Sequence, residues 1–326
     1  MQSPVRYGPW LLLDRLAVGG MAEVFLAVRD GEPPGRLFAV KRLLPMLTQD
    51  EELVTLFLDE ARLAAQLVHP ALLPVRELGR VADGYHIAFD YVPGKDLRAV
   101  AERARGLGGP LTPGLSAAVA RAVADALDHA HRGRGAGGEP LHVVHRDVSP
   151  GNVLVGYDGV VRLIDFGIAQ ADLRRGGPGP GPDAVALRGK LSYMSPEMVR
   201  GLPVDRRSDV FALGVVLHEL LTGERLFSGR SELSTLERVR SAEVPAPSAR
   251  RAGIPAGLDA VVLRAVAREP DDRYAWAAEL RDALTPFAAP DAEAKLSAFM
   301  GRAFAEDLRR ERERMERLRR APGGPD

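Results

Sequence analysis

The chain has 326 residues, 46% of them hydrophobic and 27% charged, which excludes a disordered or membrane-embedded protein and suits one two-lobed enzyme or two small domains. Forty-four basic residues cancel forty-four acidic ones, so no whole-chain field directs it to nucleic acid or to an anionic membrane. The absence of cysteine excludes disulfides and thiolate chemistry and fits a reducing, cytoplasmic setting, and no apolar stretch approaches the ~18 residues of a membrane span.

In chain order, WLLLDRLAV, EVFLAVRD and RLFAVKRLL are short and rich in branched or aromatic residues, with Gly19-Gly20 and DGEPPG as turns. They predict an antiparallel meander. EELVTLFLDEARLAAQLV has helical spacing and stops before His69-Pro70, and YHIAFDYV reads as a last strand. Beyond Pro93-Gly94 the patterns turn helical: DLRAVAERAR, LSAAVARAVADALDHAHR, SDVFALGVVLHELLTG, STLERVRSA and LDAVVLRAVAR, interrupted by the strand candidates NVLVG and VVRLIDFG. After Pro286 the chain is charged. Glu306 to Arg320 offers opposite-sign pairs four apart, Glu306/Arg310, Glu313/Arg317 and Glu316/Arg320, which predict a solvated helix. Its few apolar positions, with those just before it, are Phe299, Phe304, Leu308, Met315 and Leu318, the candidates for docking.

The loop HRDVSPGN places Asp147 five residues before Asn152, and Asp165 follows thirteen residues on, at a strand end beside Phe166-Gly167. One carboxylate to orient a hydroxyl, with an amide and a second carboxylate as hard oxygen ligands, is a set suited to magnesium. Only Lys41, Lys95, Lys190 and Lys295 are lysine among the basic residues, so each lysine carries some information in an arginine-biased chain.

On these residues the sequence resembles the eukaryotic-type, or Hanks-type, protein serine/threonine kinases of bacteria. LAVGGMAEVF fits the glycine-rich loop, FAVK the strand ending in the phosphate-binding lysine, and HRDVSPGN the catalytic loop; DFG at 165–167, SPE at 195–197, SDVFALGV and DRY at 272–274 follow in the family's order. The resemblance implies an α+β bilobal fold, with a small antiparallel β lobe carrying one helix (7–88), a hinge (89–96), a mainly helical lobe (97–287) and a charged tail (288–326). It implies an ATP- and Mg2+-dependent transfer of the γ-phosphoryl group to serine or threonine of a protein substrate.

The same resemblance assigns roles. Lys41 contacts the α and β phosphates and Glu60 aims it; Asp147 orients the substrate hydroxyl and accepts its proton; Asn152 and Asp165 hold magnesium. The nucleotide lies against Leu16, Ala17, Val18, Gly19, Gly20, Met21, Ala22, Glu23 and Val24 of the loop. Ala39 and Leu154 complete the adenine pocket, Asp90, Tyr91 and Val92 form the hinge behind gatekeeper Phe89, and Asp96 accepts from the ribose. Glu197 with Arg273 forms a structural pair, Asp209 braces the catalytic loop, and Arg146 steadies the activation segment.

The sequence departs from the family at several points. The first and third loop glycines are Ala17 and Ala22, and Ser149 stands where a lysine usually reaches the transferring phosphate. Lys190 occupies the position of the threonine that usually touches that lysine, an exchanged pair in which Lys190 supplies the missing charge. These departures leave a second reading open, a pseudokinase scaffold or allosteric partner that binds nucleotide weakly. From Ile168 to Leu191 there is no serine, threonine or tyrosine, so loop phosphorylation is not expected to be the main switch, and Arg146 is expected to be unpartnered or paired with Asp172 or Asp183. The tail leaves adaptor binding or self-association open.

Overall fold

The computed structural model describes residues 4–82, 84–135, 137–166 and 190–320. The first strands are β1 (Val5–Tyr7), β2 (Trp10–Val18), β3 (Ala22–Arg29) and β4 (Phe38–Leu43). Helix α1 (Glu51–Ala65) follows, then β5 (Val75–Val81) and β6 (Gly84–Asp90). These strands form one antiparallel six-stranded sheet in the order β1-β2-β3-β4-β6-β5. The meander and its helix are as expected; β1 and β5 are additions. Both are edge strands, and VRELGRV in β5 carries charges and a glycine where an inner strand would alternate apolar residues.

Period-two alternation decides which residues of this lobe face the cleft. In β4, Phe38 and Val40 join Trp10, Leu12 and Ala88 in one cluster, so Ala39 and Lys41 point the other way. Asp50 caps α1 by accepting from the backbone of Glu52 and Leu53. Phe57, Glu60 and Ala61 share the helix's buried face, which singles out Glu60 from its neighbours Glu51, Glu52 and Asp59.

Strand β7 (Gly94–Asp96) leads into α2 (Leu97–Gly106), capped by Asp96, and α3 (Pro113–His131), capped by Thr112. Strands β8 (Val153–Gly156) and β9 (Val161–Leu163) join β7 in a three-stranded sheet in the order β7-β8-β9. Then come α4 (Pro196–Arg200), α5 (Arg206–Thr222), α6 (Glu232–Ser241), α7 (Ala256–Ala265) and α8 (Ala277–Leu284). Helix α5 is buried continuously from Ser208 to Leu221, so it has no polar face and serves as the axis of the large lobe.

The packed unit continues past Phe287, where the sequence suggests that it ends. Helix α9 (Ala292–Ala303) buries Leu296, Met300 and Ala303, spaced i, i+4, i+7, and sinks the first two into the large-lobe core. Ser297 Oγ donates to the Tyr157 carbonyl at 2.8 Å, and Arg103 Nε to that of Ala303 at 2.8 Å. Helix α10 (Ala305–Arg320) matches the expected charged helix, with Glu306 facing Arg310 at 3.7 Å while Glu313 pairs with Arg309 at 3.8 Å. The Arg320 side chain lies outside the described residues. The helix is not wholly solvated: Asp307, Leu308, Glu311, Arg314, Met315 and Leu318 form one half-buried face.

Candidate active site

A cleft of about 1480 Å³ opens between the two lobes. Leu16 to Ala22, Val24, Ala39, Phe89 to Val92, Asp96 and Leu154 line it, together with Lys41, Glu60, Asn152, Asp165 and Lys190. Glu23 does not line it. Strand alternation turns its carboxylate to the opposite face, against Arg42 and Arg15. Ala22, at the third glycine position, puts its methyl into a cluster with Leu43, Phe57, Ala61 and Ile87 beneath the loop. The side chain there is core packing. Gly19 keeps the tip, its N–H bonded to the Ala22 carbonyl at 2.8 Å. Asp96 faces the cleft but spends one oxygen on the Ala99 N–H at 2.8 Å, so only the remainder of its carboxylate is available to a ribose.

Lys41 Nζ donates to Glu60 Oε1 at 2.7 Å and to Asp165 Oδ1 at 3.2 Å. Burial works against the ammonium, but the carboxylates of Asp165 and Glu60 outweigh it and hold Lys41 above its ordinary range. Burial likewise pushes Asp165 up, and Lys41, then Lys190 and His145, overcome it and hold the carboxyl below the usual range. The helix, the strand and the loop are therefore joined through one charged lysine.

The catalytic loop owes its shape to Asp209 on α5. Its carboxylate accepts from the backbone N–H of His145 at 2.7 Å and of Arg146 at 2.8 Å, and sits 2.8 Å from His131 Nε2. Arg146 is held at φ 63°, a left-handed conformation costly for a residue with a Cβ, and Asp165 at φ 56°. His145 packs at a tilt against Phe166, ring centres 4.8 Å apart, lies 3.1 Å from the Ile164 carbonyl through Nε2, and accepts the Asp147 N–H on Nδ1 at 3.3 Å. Burial holds its pKa below the ordinary value, which preserves the neutral ring that this donor and acceptor pattern needs.

Asn152 donates its amide nitrogen to the Asp147 carbonyl at 2.8 Å and to Asp147 Oδ2 at 2.7 Å. Its amide oxygen is thereby left for a ligand. Asp165 gives Oδ1 to Lys41 and keeps an exposed edge. Among the described residues no three carboxylates or histidines gather around a metal, so protein oxygens alone would not complete a coordination shell. An amide oxygen and a carboxylate fit magnesium, an ion that keeps waters and shares phosphate oxygens.

Lys190 Nζ donates to Asp147 Oδ2 at 2.6 Å. The expected charge thus stands at Asp147, but not through Ser149, whose hydroxyl is buried without a hydrogen-bond partner among the described residues. Ser192 and Tyr193, the first hydroxyls after Leu191, are both buried, and Tyr193 donates to Glu219 at 2.5 Å. The Arg146 side chain is exposed with no ion-pair partner among the described residues, and Asp172 and Asp183 lie outside them. Arg273 grips Glu197 with two bonds of 2.8 Å, and Ser208 Oγ adds a third to that carboxylate at 2.5 Å.

The sequence matches the protein kinase domain family over residues 11–282. The chain belongs to the protein kinase family. It is 40% identical over 324 residues to Tyrosine-protein kinase MasK of Myxococcus xanthus, a match covering 96% of this chain and 48% of that protein. It is also 40% identical over 271 residues to Serine/threonine-protein kinase PknB of Mycobacterium tuberculosis, covering 82% of this chain and 41% of that one. The kinase therefore spans about half the length of the curated relatives it matches. Among solved structures it resembles the PknI kinase domain of Mycobacterium tuberculosis, at 32% identity and a TM-score of 0.64 over 88% of this chain and 99% of that one. Among the cleft-lining residues that sequence reasoning missed are Asp307, Arg310, Glu311 and Arg314 on α10. Their i, i+3, i+4, i+7 spacing marks a common face, but spacing alone does not say where a helix docks.

Proposed function

We propose that the chain transfers the γ-phosphoryl group of ATP to serine or threonine hydroxyls of a protein substrate in the cytoplasm. The observation that carries this reading is the connected set Glu60–Lys41–Asp165 and Lys190–Asp147–Asn152 at one end of a nucleotide-sized cleft. A scaffold would be free to lose any of these contacts. Lys41, fixed by Glu60, binds the α and β phosphates. Asn152 and Asp165 would hold Mg2+, which when bound neutralises phosphate charge. Asp147 takes the proton from the incoming hydroxyl as its oxygen attacks phosphorus and the bond to the β-phosphate oxygen breaks. Lys190 lies beside that aspartate and supplies positive charge to the transferring phosphate, the part that Ser149 cannot play.

One observation favours a second acceptor: the relative aligned over 96% of the chain is named a tyrosine-protein kinase. Against it, Val148, Ser149 and Gly151 follow the catalytic aspartate without the arginine usual in tyrosine kinases. Labelled ATP with a generic basic protein, compared for wild type and Asp147→Asn, tests catalysis, and phosphoamino-acid analysis of the product identifies the hydroxyl. Equal labelling by both forms would remove the enzyme reading; phosphotyrosine alone would replace serine and threonine as acceptor.

A further inference from the structure

The chemistry proposed above gives no role to α10, yet this helix reaches both lobes. Helix α9 before it is sunk in the large-lobe core. At the start of α10, Asp307 Oδ2 meets Lys95 Nζ of β7 at 3.1 Å, and the same ammonium lies 5.6 Å from the ring centre of Phe304. One turn on, the Glu311 carboxylate adjoins the Tyr91 phenol of the hinge. A further turn on, Arg314 Nη2 meets Asp14 Oδ2 of β2, in the small lobe, at 3.3 Å. From Asp307 to Arg314 the rod advances about 10 Å, enough to cross the hinge.

We propose that α10 is a strap forming an outer wall of the nucleotide cleft, pinned to both lobes, and that its hold on Asp14 sets how fast nucleotide enters and leaves. The proposal rests on the nucleotide-site reading given above. Asp307, Arg310, Glu311 and Arg314 line the same cleft as Val24, Ala39 and Leu154, so the strap borders the space that a nucleotide must cross. Lobes that part to admit a ligand stretch the ion pair that α10 makes to the small lobe, Arg314 with Asp14. That contact is releasable: both side chains are one-third exposed, and such pairs are individually weak. The docked position is also imperfectly satisfied, because Glu311 Oε1 is buried with no hydrogen-bond partner among the described residues. A helix held by a half-buried face and a releasable end can open without unfolding the lobe beneath it.

The test is stopped-flow fluorescence with an N-methylanthraniloyl ATP analogue on the full chain, comparing wild type, Arg314→Asp, and the exchange Asp14→Arg with Arg314→Asp. Reversal of one charge turns attraction into repulsion and is expected to speed both association and release by about threefold or more. The exchange variant restores the wild-type rates. Hydrogen–deuterium exchange over 305–320 rises in the single variant and returns in the exchange. Rates that Arg314→Asp leaves unchanged, or that the exchange does not restore, overturn the strap while nucleotide capture by the wild type keeps the site reading intact. A wild type that captures no nucleotide overturns that reading, and the strap with it.

Discussion

Replacing Asp209 by alanine removes the acceptor for the His145 and Arg146 backbone N–H groups and the partner of His131, without touching any residue that meets substrate. Asp209 and His131 are buried, and so is the bond to His145; only the bond to Arg146 has partial access to water. A buried donor left unsatisfied costs about 1–3 kcal/mol, so two enclosed donors and a third half-enclosed one give roughly 3–6 kcal/mol. That is a large fraction of the ~5–15 kcal/mol that stabilises a typical domain. The loss is also local, because the same bonds hold Arg146 at φ 63°, next to Asp147, the proposed base. Asp209→Asn keeps the shape and one acceptor oxygen but sets an amide N–H against a donor, and is expected to lose roughly 1–3 kcal/mol. Urea unfolding measures the stability, and phosphorylation of a basic protein measures turnover; kcat should fall more than the KM for ATP rises. An alanine variant within about 1 kcal/mol of wild type and equally active would refute the claim that Asp209 holds the loop.

Three further outcomes follow from the same geometry. Lys190→Ala should lower kcat by about 100-fold or more, as loss of a charge donor at a transition state does, with the KM for ATP nearly unchanged; unchanged turnover would remove Lys190 from the chemistry. Ala22→Gly, which restores the family's third glycine, should cost roughly 1 kcal/mol in urea unfolding without tightening nucleotide binding, because the methyl is packed beneath the loop. The buried Glu197–Arg273 pair should make stability fall in acid. Burial pushes Glu197 up, but its bonds to Arg273 and Ser208 hold the carboxyl below its ordinary range. Its contribution is therefore complete above the unfolded value near ~4.3 and is lost as pH falls through the lower folded value. Arg273→Met should flatten that acid limb and cost about 3–5 kcal/mol at neutral pH.

The residues legible in the sequence are those whose chemistry and backbone position are fixed by one short segment. Lys41 lies within an apolar strand, Asp147 and Asn152 share a loop, and Asp165 follows a strand by two residues; the structure brings Lys41 against Asp165, and Asp147 against Asn152 and Lys190. Glu23 stands apart from the rest of its segment, because alternate residues of a strand face opposite ways and its carboxylate meets Arg42 away from the cleft. Strand β5 escaped because an edge strand needs little apolar pattern, and α9 because its three buried residues sit among charged and small ones. The docking of α10 depends on partners at positions 14, 91 and 95, more than two hundred residues away in sequence, and no local pattern encodes that distance.

These placements bear on how the kinase is controlled. A phosphate-driven switch needs a hydroxyl that modifying enzymes can reach and a cation to receive the phosphate. Arg146 offers the cation, but residues 168–191 hold no hydroxyl, and Ser192 and Tyr193 are buried, the latter bonded to Glu219. Control by loop phosphorylation therefore lacks its acceptor, while Glu60, Lys41 and Asp165 are already engaged. With the catalytic groups assembled, the remaining freedom lies in the approach of the two lobes. Besides the contacts at the back of the cleft, where His69 meets Asp125 and Leu72 pairs with Leu163, α10 adds the Arg314–Asp14 ion pair at its far end, which turns the question of regulation from the activation segment to the hinge.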